Sequence, residues 1–290
     1  MHVSVLKEEA INLLNLNSGD IVVDATLGSG GHAESIIQKV LPNGRVIGID
    51  QDHEALERSK KRLSQYLDHI TFVESNFRSL DSVLSENNIS AIDGILIDLG
   101  VSQDQILSAT RGFSFRSDAP LDMRMSLKSN LTAADLINGY SEEDLANVFW
   151  EYGEERKSRY FAKHIVEARR KKPIKTTKDL ATFIEKLAPR RGKIHPATKV
   201  FQALRIEVND ELGAVHEFLP KALDALNSGK RIAVISFHSL EDRIVKNIFR
   251  DKAKENIIRL INKKVIKPSR KETLENPKSR SAKLRIAEKI

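Results

Sequence analysis

The sequence contains no cysteine among its 290 residues. This absence excludes disulfide bonds, thiolate zinc sites, iron–sulfur clusters and cysteine nucleophiles, and it fits a reducing compartment. No apolar run approaches the roughly 18 residues of a membrane-spanning helix. Residues 1–15 carry acids where a signal peptide needs basic and then apolar residues. We therefore expect a soluble, cytoplasmic protein with no membrane partner. The histidines show no H-E-x-x-H spacing, so we also predict no catalytic metal.

Charge is distributed in blocks along the chain. The net charge of +7 combines −13 over residues 1–155, +13 over residues 156–205, −3 over residues 206–245 and +10 over residues 246–290. Two basic blocks flanking acidic segments are typical of a polyanion binder, although solvated helix faces would give the same pattern. The basic residues expected to hold nucleic-acid phosphates are Arg156, Lys157, Arg159, Lys163, Arg169, Arg170, Lys171, Lys172, Arg190, Arg191 and Lys193.

Short apolar runs alternate with amphipathic stretches over the first hundred residues. We predict strands over residues 20–26, 45–50, 70–74 and 92–98, and helices over residues 33–40, 54–66 and 80–86. Near-continuous apolar strands separated by helices indicate a parallel sheet that is covered on both faces.

The alternation stops after residue 105 and returns after residue 206. Between these points the patterns predict only helices, over residues 142–152, 159–170, 177–187 and 197–208. Beyond them we predict helices at 211–226 and 240–250, a strand at 231–236, and a closing antiparallel hairpin from residues 257–266 and 282–287. The sequence thus predicts an α/β domain over residues 1–105 and 207–290, with a helical domain inserted over residues 106–206. Within the inserted domain, Phe149 and Trp150 are predicted to lie in the helix core rather than to form a platform for bases.

A glycine-rich loop with the sequence DATLGSGGH joins the first strand to the first helix. Glycines let the backbone turn tightly and approach a ligand, and Asp50, which ends the second strand, can accept both hydroxyls of an adenosine ribose. A dinucleotide fits this arrangement, because Gly28-x-Gly30-x-x-Ala33 satisfies the G-x-G-x-x-G/A pattern. S-adenosylmethionine also fits it, because carboxylates at Asp24 and Asp98 favour a ligand with an ammonium and a sulfonium. Asp24 as a simple cap of the loop amides is a third reading.

Two further segments carry candidate chemistry. Residues 111–125 interleave aromatics, arginines and methionines, a pattern that suits either base stacking or packing between the two domains. Ser236, His238 and Asp242 lie in one short segment, but a catalytic triad needs a spatial convergence that sequence does not establish.

Nine motifs together resemble the RsmH (MraW) family, and they run in order over essentially the whole chain. They are DATLGSGGH, GIDQD, GILIDLGVS, RGFSF, PLDMRM, YGEER, HPATKVFQALRIEVNDEL, SFHSLEDRIVK and NPKSRSAKLRIAEK. The resemblance implies a Rossmann-like class I methyltransferase with a seven-stranded, mostly parallel sheet and an inserted helical domain. It also implies methyl transfer from S-adenosylmethionine to N4 of a cytidine in 16S ribosomal RNA near the decoding centre.

The resemblance also assigns site residues by their motifs. The cofactor contacts it implies are Gly30, Gly31, His32, Asp50, Phe77, Asp98 and Gln105. The last departs from the family pattern, since Ser102-Gln103-Asp104-Gln105 stands where the family has Ser-Ser-Pro-Gln. Asp98 is followed by Leu-Gly-Val rather than the Pro-Pro-aromatic of many amino-methyltransferases, so the acceptor of the N4 proton stays open between Asp98 and Asp122.

Two other functions remain open at this point. An NAD-dependent oxidoreductase would use the same glycine loop, and a non-catalytic assembly factor would bind ribosomal RNA through the basic blocks alone. The expected partner is 16S ribosomal RNA or the small ribosomal subunit, and the sequence leaves a homodimer open.

Overall fold

The computed structural model describes residues 4–190, 192 and 194–290. The chain forms two compact units. The first unit comprises the chain up to Gly100 together with Leu212–Ile290, and the second comprises Val101–Glu211. The strands are β1 (Ile21–Asp24), β2 (Arg45–Asp50), β3 (Ile70–Glu74), β4 (Ile92–Asp98), β5 (Leu226–Ser236), β6 (Ile258–Leu260) and β7 (Lys283–Lys289). The helices are α1 (Lys7–Leu14), α2 (Gly31–Val40), α3 (His53–Arg62), α4 (Leu80–Glu86), α5 (Gln103–Leu107), α6 (Ala133–Gly139), α7 (Glu142–Glu151), α8 (Ser158–Arg169), α9 (Thr177–Leu187), α10 (Thr198–Asn209), α11 (Glu211–Ala225), α12 (Ser239–Lys254) and α13 (Arg270–Glu275).

The first unit is built on one seven-stranded sheet with the strand order β3-β2-β1-β4-β5-β7-β6. The pairs from β3 to β5 are all parallel, and β7 runs antiparallel to both β5 and β6. The order reverses between β1 and β4, which creates the switch point at which open α/β sheets bind ligands. The mostly parallel sheet and the closing antiparallel pair predicted from sequence are both confirmed.

Alternate residues of the strands enter two different hydrophobic cores, one on each face of the sheet. Val22 and Leu96 pack in one core with residues of α1 and α2, whereas Val23 and Ile95 pack in the other with residues of α4, α11 and α12. Side chains of a strand point alternately to opposite faces, so a run of apolar residues serves both cores at once. This burial explains why the strands read as continuous apolar segments.

The second unit is helical and has a core of its own. Helices α6 to α10 supply most of it, and the largest fully buried side chains there are Phe149 and Phe161. Within the described residues its extended pairing is a single bridge between Pro120 and Thr176. The prediction for Trp150 is wrong: its side chain is 56% exposed, because α7 turns Phe149 inward and the next residue lies about 100° further round the helix.

Several element bounds differ from the predicted ones for local reasons. Helix α3 ends at Arg62 and continues as a 3-10 segment over Ser64–His69, so the predicted helix over residues 54–66 is too long. Strand β5 begins at Leu226, five residues before the predicted start, and its pairing with β4 shifts register between Ile92 and Gly94. Helices α1, α5, α6 and α13 were not predicted. No helix among the described residues has the length and apolarity needed to cross a membrane.

Candidate active site

Three carboxylates end three neighbouring strands of the parallel part of the sheet. Asp24 is the last residue of β1, Asp50 of β2 and Asp98 of β4. Parallel strands bring their carboxyl ends to one edge, and β1 and β4 flank the switch point. The structure therefore brings together the acids that the sequence singled out for cofactor binding.

The glycine loop fixes the carboxylate of Asp50. The backbone N–H of Gly28 donates to its Oδ2 at 2.7 Å, and the N–H of Asp52 donates to its Oδ1 at 2.9 Å. Gly28 and Gly30 have φ angles of +54° and +77°, which other residues rarely adopt. Each carboxylate oxygen keeps a second lone pair, so Asp50 can still accept ligand hydroxyls. Burial raises the pKa of Asp50 to about 6, against the lowering effect of these two N–H donors.

His32 and two of the acids form a buried cluster beside this loop. The Nε2 atom of His32 lies 3.7 Å from Oδ2 of Asp98, and the residue is 5% exposed. Both ring nitrogens of His32, Oδ2 of Asp24 and Oδ1 of Asp98 are buried and have no hydrogen-bond partner within the part of the chain that the structure describes. Buried polar atoms are nearly always hydrogen-bonded, so this cluster suits a ligand that carries donors and positive charge.

The electrostatics of the cluster favour one of the two predicted cofactors. The pKa of Asp24 is raised to about 6, chiefly by burial; His32 and the backbone N–H of Thr26 act to lower it, and the neighbouring acids Asp98 and Asp50 act to raise it. A cationic ligand relieves this repulsion, whereas a diphosphate adds to it. The residues present therefore fit the ammonium and sulfonium of S-adenosylmethionine better than the pyrophosphate of a dinucleotide.

Thr26 connects the ends of β1 and β4, a role that the sequence reading missed. Its Oγ1 accepts the backbone N–H of Asp98 at 2.7 Å. The bond holds the Asp98 backbone against the start of the glycine loop. A threonine two residues after a strand that ends in aspartate is the only trace of this contact in the sequence, and it points to no particular partner.

Two further predicted cofactor residues of the first unit, Phe77 and Gly31, lie against other parts of that unit. Phe77 lies half-buried after β3, edge-on to Phe218 with ring centroids 5.2 Å apart and planes at 75°. A side chain on Gly31 would meet Oγ of Ser4 at 2.1 Å, so the absence of a side chain there serves packing of the amino-terminal segment. The role of both residues in cofactor binding stays a prediction.

Gln105 and Asp122 belong to the second unit, and both are engaged in local contacts. The amide oxygen of Gln105 accepts the N–H of Ser102 at 3.0 Å and closes a capping box at the start of α5. Asp122 accepts Nε and Nη2 of Arg124 at 2.9 Å and 2.8 Å. Burial works to raise the pKa of Asp122, but the hydrogen bonds and charge of Arg124 outweigh it and hold that pKa below its usual range.

Residues 111–125 form an internal part of the second unit. Arg111 is buried and its Nη2 donates to the carbonyls of Arg124 at 2.9 Å and Met125 at 2.7 Å. Phe115 packs edge-on to Phe201 at 4.9 Å. Arg111, Arg124 and Phe115 thus build the unit's own core and loop, whereas Arg116 is exposed.

The basic residues predicted to hold phosphates are exposed in the described part of the chain, with one exception. Arg169 donates Nη1 to the carbonyl of Ile137 at 2.7 Å and Nη2 to that of Tyr140 at 2.5 Å, and burial lowers its pKa. It is therefore a structural residue and not a phosphate ligand. Arg191 and Lys193 lie outside the described residues. The exposed members include Arg156, Lys157, Arg159, Lys163, Arg170, Lys171, Lys172 and Arg190.

Ser236, His238 and Asp242 do not form a triad. Asp242 accepts Nε and Nη2 of Arg285 at 2.7 Å and 3.2 Å. His238 caps α12 with Glu241 in a reciprocal box. The carboxylate that would orient a catalytic histidine is thus paired with an arginine.

Comparison with known proteins assigns the chain to a family. The sequence profile described as the MraW methylase family matches residues 1–290. A protein named ribosomal RNA small subunit methyltransferase H from Brevibacillus brevis is 45% identical, covering 100% of this chain and 98% of its own length. One of the same name from a Sulfurihydrogenibium species is 49% identical, covering 100% and 99%. The crystal structure of an rRNA methylase from Streptococcus thermophilus covers 100% of this chain and 99% of its own, with a TM-score of 0.50 at 12% identity, a likeness of fold alone.

Proposed function

Since the chain belongs to the MraW methylase family, we propose that it methylates N4 of a cytidine in 16S ribosomal RNA near the decoding centre, with S-adenosylmethionine as methyl donor. The observation that carries the cofactor assignment is the buried cluster of Asp24, His32 and Asp98, whose unpartnered atoms suit a cationic ligand. The full-length relatives named small subunit methyltransferases support the ribosomal RNA substrate.

Each cofactor contact has a physical rationale. Asp50 accepts the two ribose hydroxyls, because its oxygens are already oriented by the glycine loop. Phe77 offers a half-buried ring to the adenine. His32 and the start of α2 face the methionine part, with the backbone of Gly30 and Gly31 allowing close approach. When bound, S-adenosylmethionine supplies a methyl group activated by a sulfonium.

The chain must also supply an acceptor for the cytidine amine proton. The N4 lone pair is delocalised into the ring, so an acceptor for its N–H raises its nucleophilicity. Asp98 fits this role because its Oδ1 has no hydrogen-bond partner among the described residues. Asp122 is the weaker candidate, since Arg124 occupies both of its oxygens and lowers its pKa.

Methyl incorporation tests the function directly. Small subunits and naked 16S ribosomal RNA from cells that lack the protein would be incubated with labelled S-adenosylmethionine, and the RNA mapped by mass spectrometry. We expect one cytidine to gain a methyl group on N4. Absence of incorporation with both substrates would favour the non-catalytic assembly factor. Calorimetry separates the oxidoreductase, because S-adenosylhomocysteine should bind and NAD should not.

A pair of isosteric variants tests the proton acceptor. Asp98→Asn should lower kcat at saturating cofactor by roughly 10²- to 10⁴-fold, the usual contribution of a positioned base. Asp122→Asn should lower it far less. The opposite ranking would transfer the role to Asp122.

A further inference from the structure

Backbone pairing between β1 and β4 stops at their carboxyl ends, at the switch point of the sheet. The last register pair is Asp24 with Leu96, and the N–H of Ala25 still donates to the carbonyl of Leu96 at 2.8 Å. The N–H of Leu27 donates instead to the carbonyl of Ile49 in β2 at 2.8 Å. The chain thus turns from β4 towards β2 within two residues, at the place where open α/β sheets bind ligands.

This turn takes the backbone of β1 away from the N–H of Asp98. In a parallel pair, a residue that donates to one residue of the neighbouring strand accepts from the residue two positions further along. Because Ala25 donates to Leu96, a continued ladder would have the carbonyl of Ala25 accept from Asp98. The Asp98 N–H donates to Oγ1 of Thr26 at 2.7 Å. The threonine hydroxyl therefore adds one bond to the ladder where the backbone has already turned away.

The backbone at Asp98 is held from both neighbouring strands. On the β5 side Asp98 is in register with Ile235, whose carbonyl accepts the N–H of Leu99 at 2.9 Å. On the β1 side the Thr26 hydroxyl holds the N–H of Asp98 itself. The peptide group between Asp98 and Leu99 is therefore fixed between two strands. The Asp98 carboxylate, whose Oδ1 has no hydrogen-bond partner among the described residues, projects from this fixed point.

Thr26 also contacts a second acid of the buried cluster. Its N–H donates to Oδ1 of Asp24 at 3.3 Å. One residue thus bonds to the side chain of Asp24 and to the backbone of Asp98, and it links the two acids across the switch point. Valine has the shape of threonine but offers no acceptor, whereas serine keeps the hydroxyl.

We propose that Thr26 is a positioning residue for methyl transfer, whose hydroxyl fixes Asp98 for contact with the cytidine amine while β1 turns away and leaves room for the ligands. The proposal rests on the proposed function, in which Asp98 accepts the N4 proton. Thr26 acts through Asp98, so its loss should change kcat rather than the affinity for RNA. Misplacement of a reacting group by about 1 Å lowers a rate by up to about a hundredfold.

A pair of variants separates the hydroxyl from the shape of the side chain. Thr26→Val should lower kcat by about ten- to a hundredfold at saturating substrates, with the KM for RNA changed by less than about threefold. Thr26→Ser should keep kcat within about threefold of that of the unaltered enzyme, because the acceptor remains. Full kcat in Thr26→Val, or a loss that Thr26→Ser shares, would overturn the proposal.

A double-mutant cycle tests whether Thr26 acts through Asp98. In the Asp98→Asn background, the further change Thr26→Val should lower kcat by less than about threefold, since the carboxylate to be positioned is already absent. Losses that multiply in full would show that Thr26 acts elsewhere, and they would contradict the proposal.

Thr176→Val is the matched control in the second unit. Oγ1 of Thr176 accepts the N–H of Asp179 at 3.1 Å at the start of α9, so the same substitution again removes an acceptor from a backbone N–H. We expect it to lower the urea midpoint, as Thr26→Val does, and to leave kcat unchanged. A loss of kcat equal to that of Thr26→Val would reduce the role of Thr26 to stability.

Hydrogen exchange gives a readout that needs no methyl transfer. The amide of Asp98 should exchange faster in Thr26→Val than in the unaltered protein and in Thr26→Ser, while the amide of Leu99 stays protected. Unchanged protection of Asp98 in Thr26→Val would reject the anchoring contact, whatever the substrate. Absence of methyl incorporation by the unaltered enzyme would reject the proposed function instead, so the two failures are distinguishable.

Discussion

The buried carboxylate of Asp24, to which we have given a part in the proposed cofactor site, should lower the free energy of unfolding of the cofactor-free protein at neutral pH. Burial raises its pKa from 3.8 to about 6, and a difference of this size corresponds to about 3 kcal/mol at neutral pH. Asp24→Asn keeps the shape of the side chain and removes its charge. We therefore expect the cofactor-free variant to be more stable than the unaltered protein at pH 7, by about 1–3 kcal/mol.

The pH dependence gives the sharper test. Because the folded-state pKa lies above the unfolded one, the native protein binds more protons between pH 3.8 and about 6, and stability falls as pH rises through this window. The advantage of Asp24→Asn should therefore be about 1 kcal/mol smaller at pH 5 than at pH 7. Urea unfolding would be followed by circular dichroism, since the single tryptophan reports only on the second unit.

A control of opposite sign and a binding measurement complete the experiment. Burial works to raise the pKa of Asp242, but Arg285 and Lys283 lower it more, so Asp242→Asn should destabilise the protein at pH 7. Asp24→Asn should also bind S-adenosylhomocysteine at least about tenfold more weakly, because a charge partner of the ammonium is lost. The reasoning would be refuted if Asp24→Asn were no more stable than the unaltered protein and if the difference in free energy of unfolding between the two did not change with pH.

Three further outcomes are expected. Arg169→Ala should lower the free energy of unfolding by about 2 kcal/mol, because two carbonyls lose their hydrogen-bond donor. Arg170 is exposed, so Arg170→Ala should leave the urea midpoint unchanged and weaken RNA binding. Gly30→Ala should lower the free energy of unfolding in urea by about 1–2 kcal/mol, because φ at Gly30 is +77° and an added Cβ would lie 3.1 Å from the side chain of Leu63. With about five phosphate contacts, log K for RNA should fall against log salt concentration with a slope of roughly −3.5, and a flat slope would remove the basic block from RNA binding.

The sheet was predictable because each parallel strand serves two cores. Burial on both faces makes Ile21–Asp24 and Ile92–Asp98 nearly continuous apolar runs, and the acids that end them stand out against that background. The amino-terminal part of β5 was not predictable, since Asn227, Ser228 and Gly229 have the composition of a turn and lie in the register shift that follows the pair Ile92–Leu226.

Side-chain environments in the second unit were harder to predict. Phe149 and Trp150 are adjacent and both apolar, and a rotation of about 100° decides that one is buried and the other exposed. Arg169 looks like its neighbours in the basic block, but its guanidinium serves two internal carbonyls. Such contacts depend on tertiary neighbours that no local pattern encodes.

The distribution of charge along the chain suits two ligands of opposite sign. Residues 1–155 carry a net charge of −13 and include the strand-end acids, whereas residues 156–205 carry +13. Carboxylates that attract a cationic methyl donor also repel RNA phosphates, so the phosphates need cations that lie in a different part of the chain. The two affinities should therefore respond differently to salt. Cofactor binding in a buried cluster is screened weakly, whereas RNA binding releases counterions and weakens steeply.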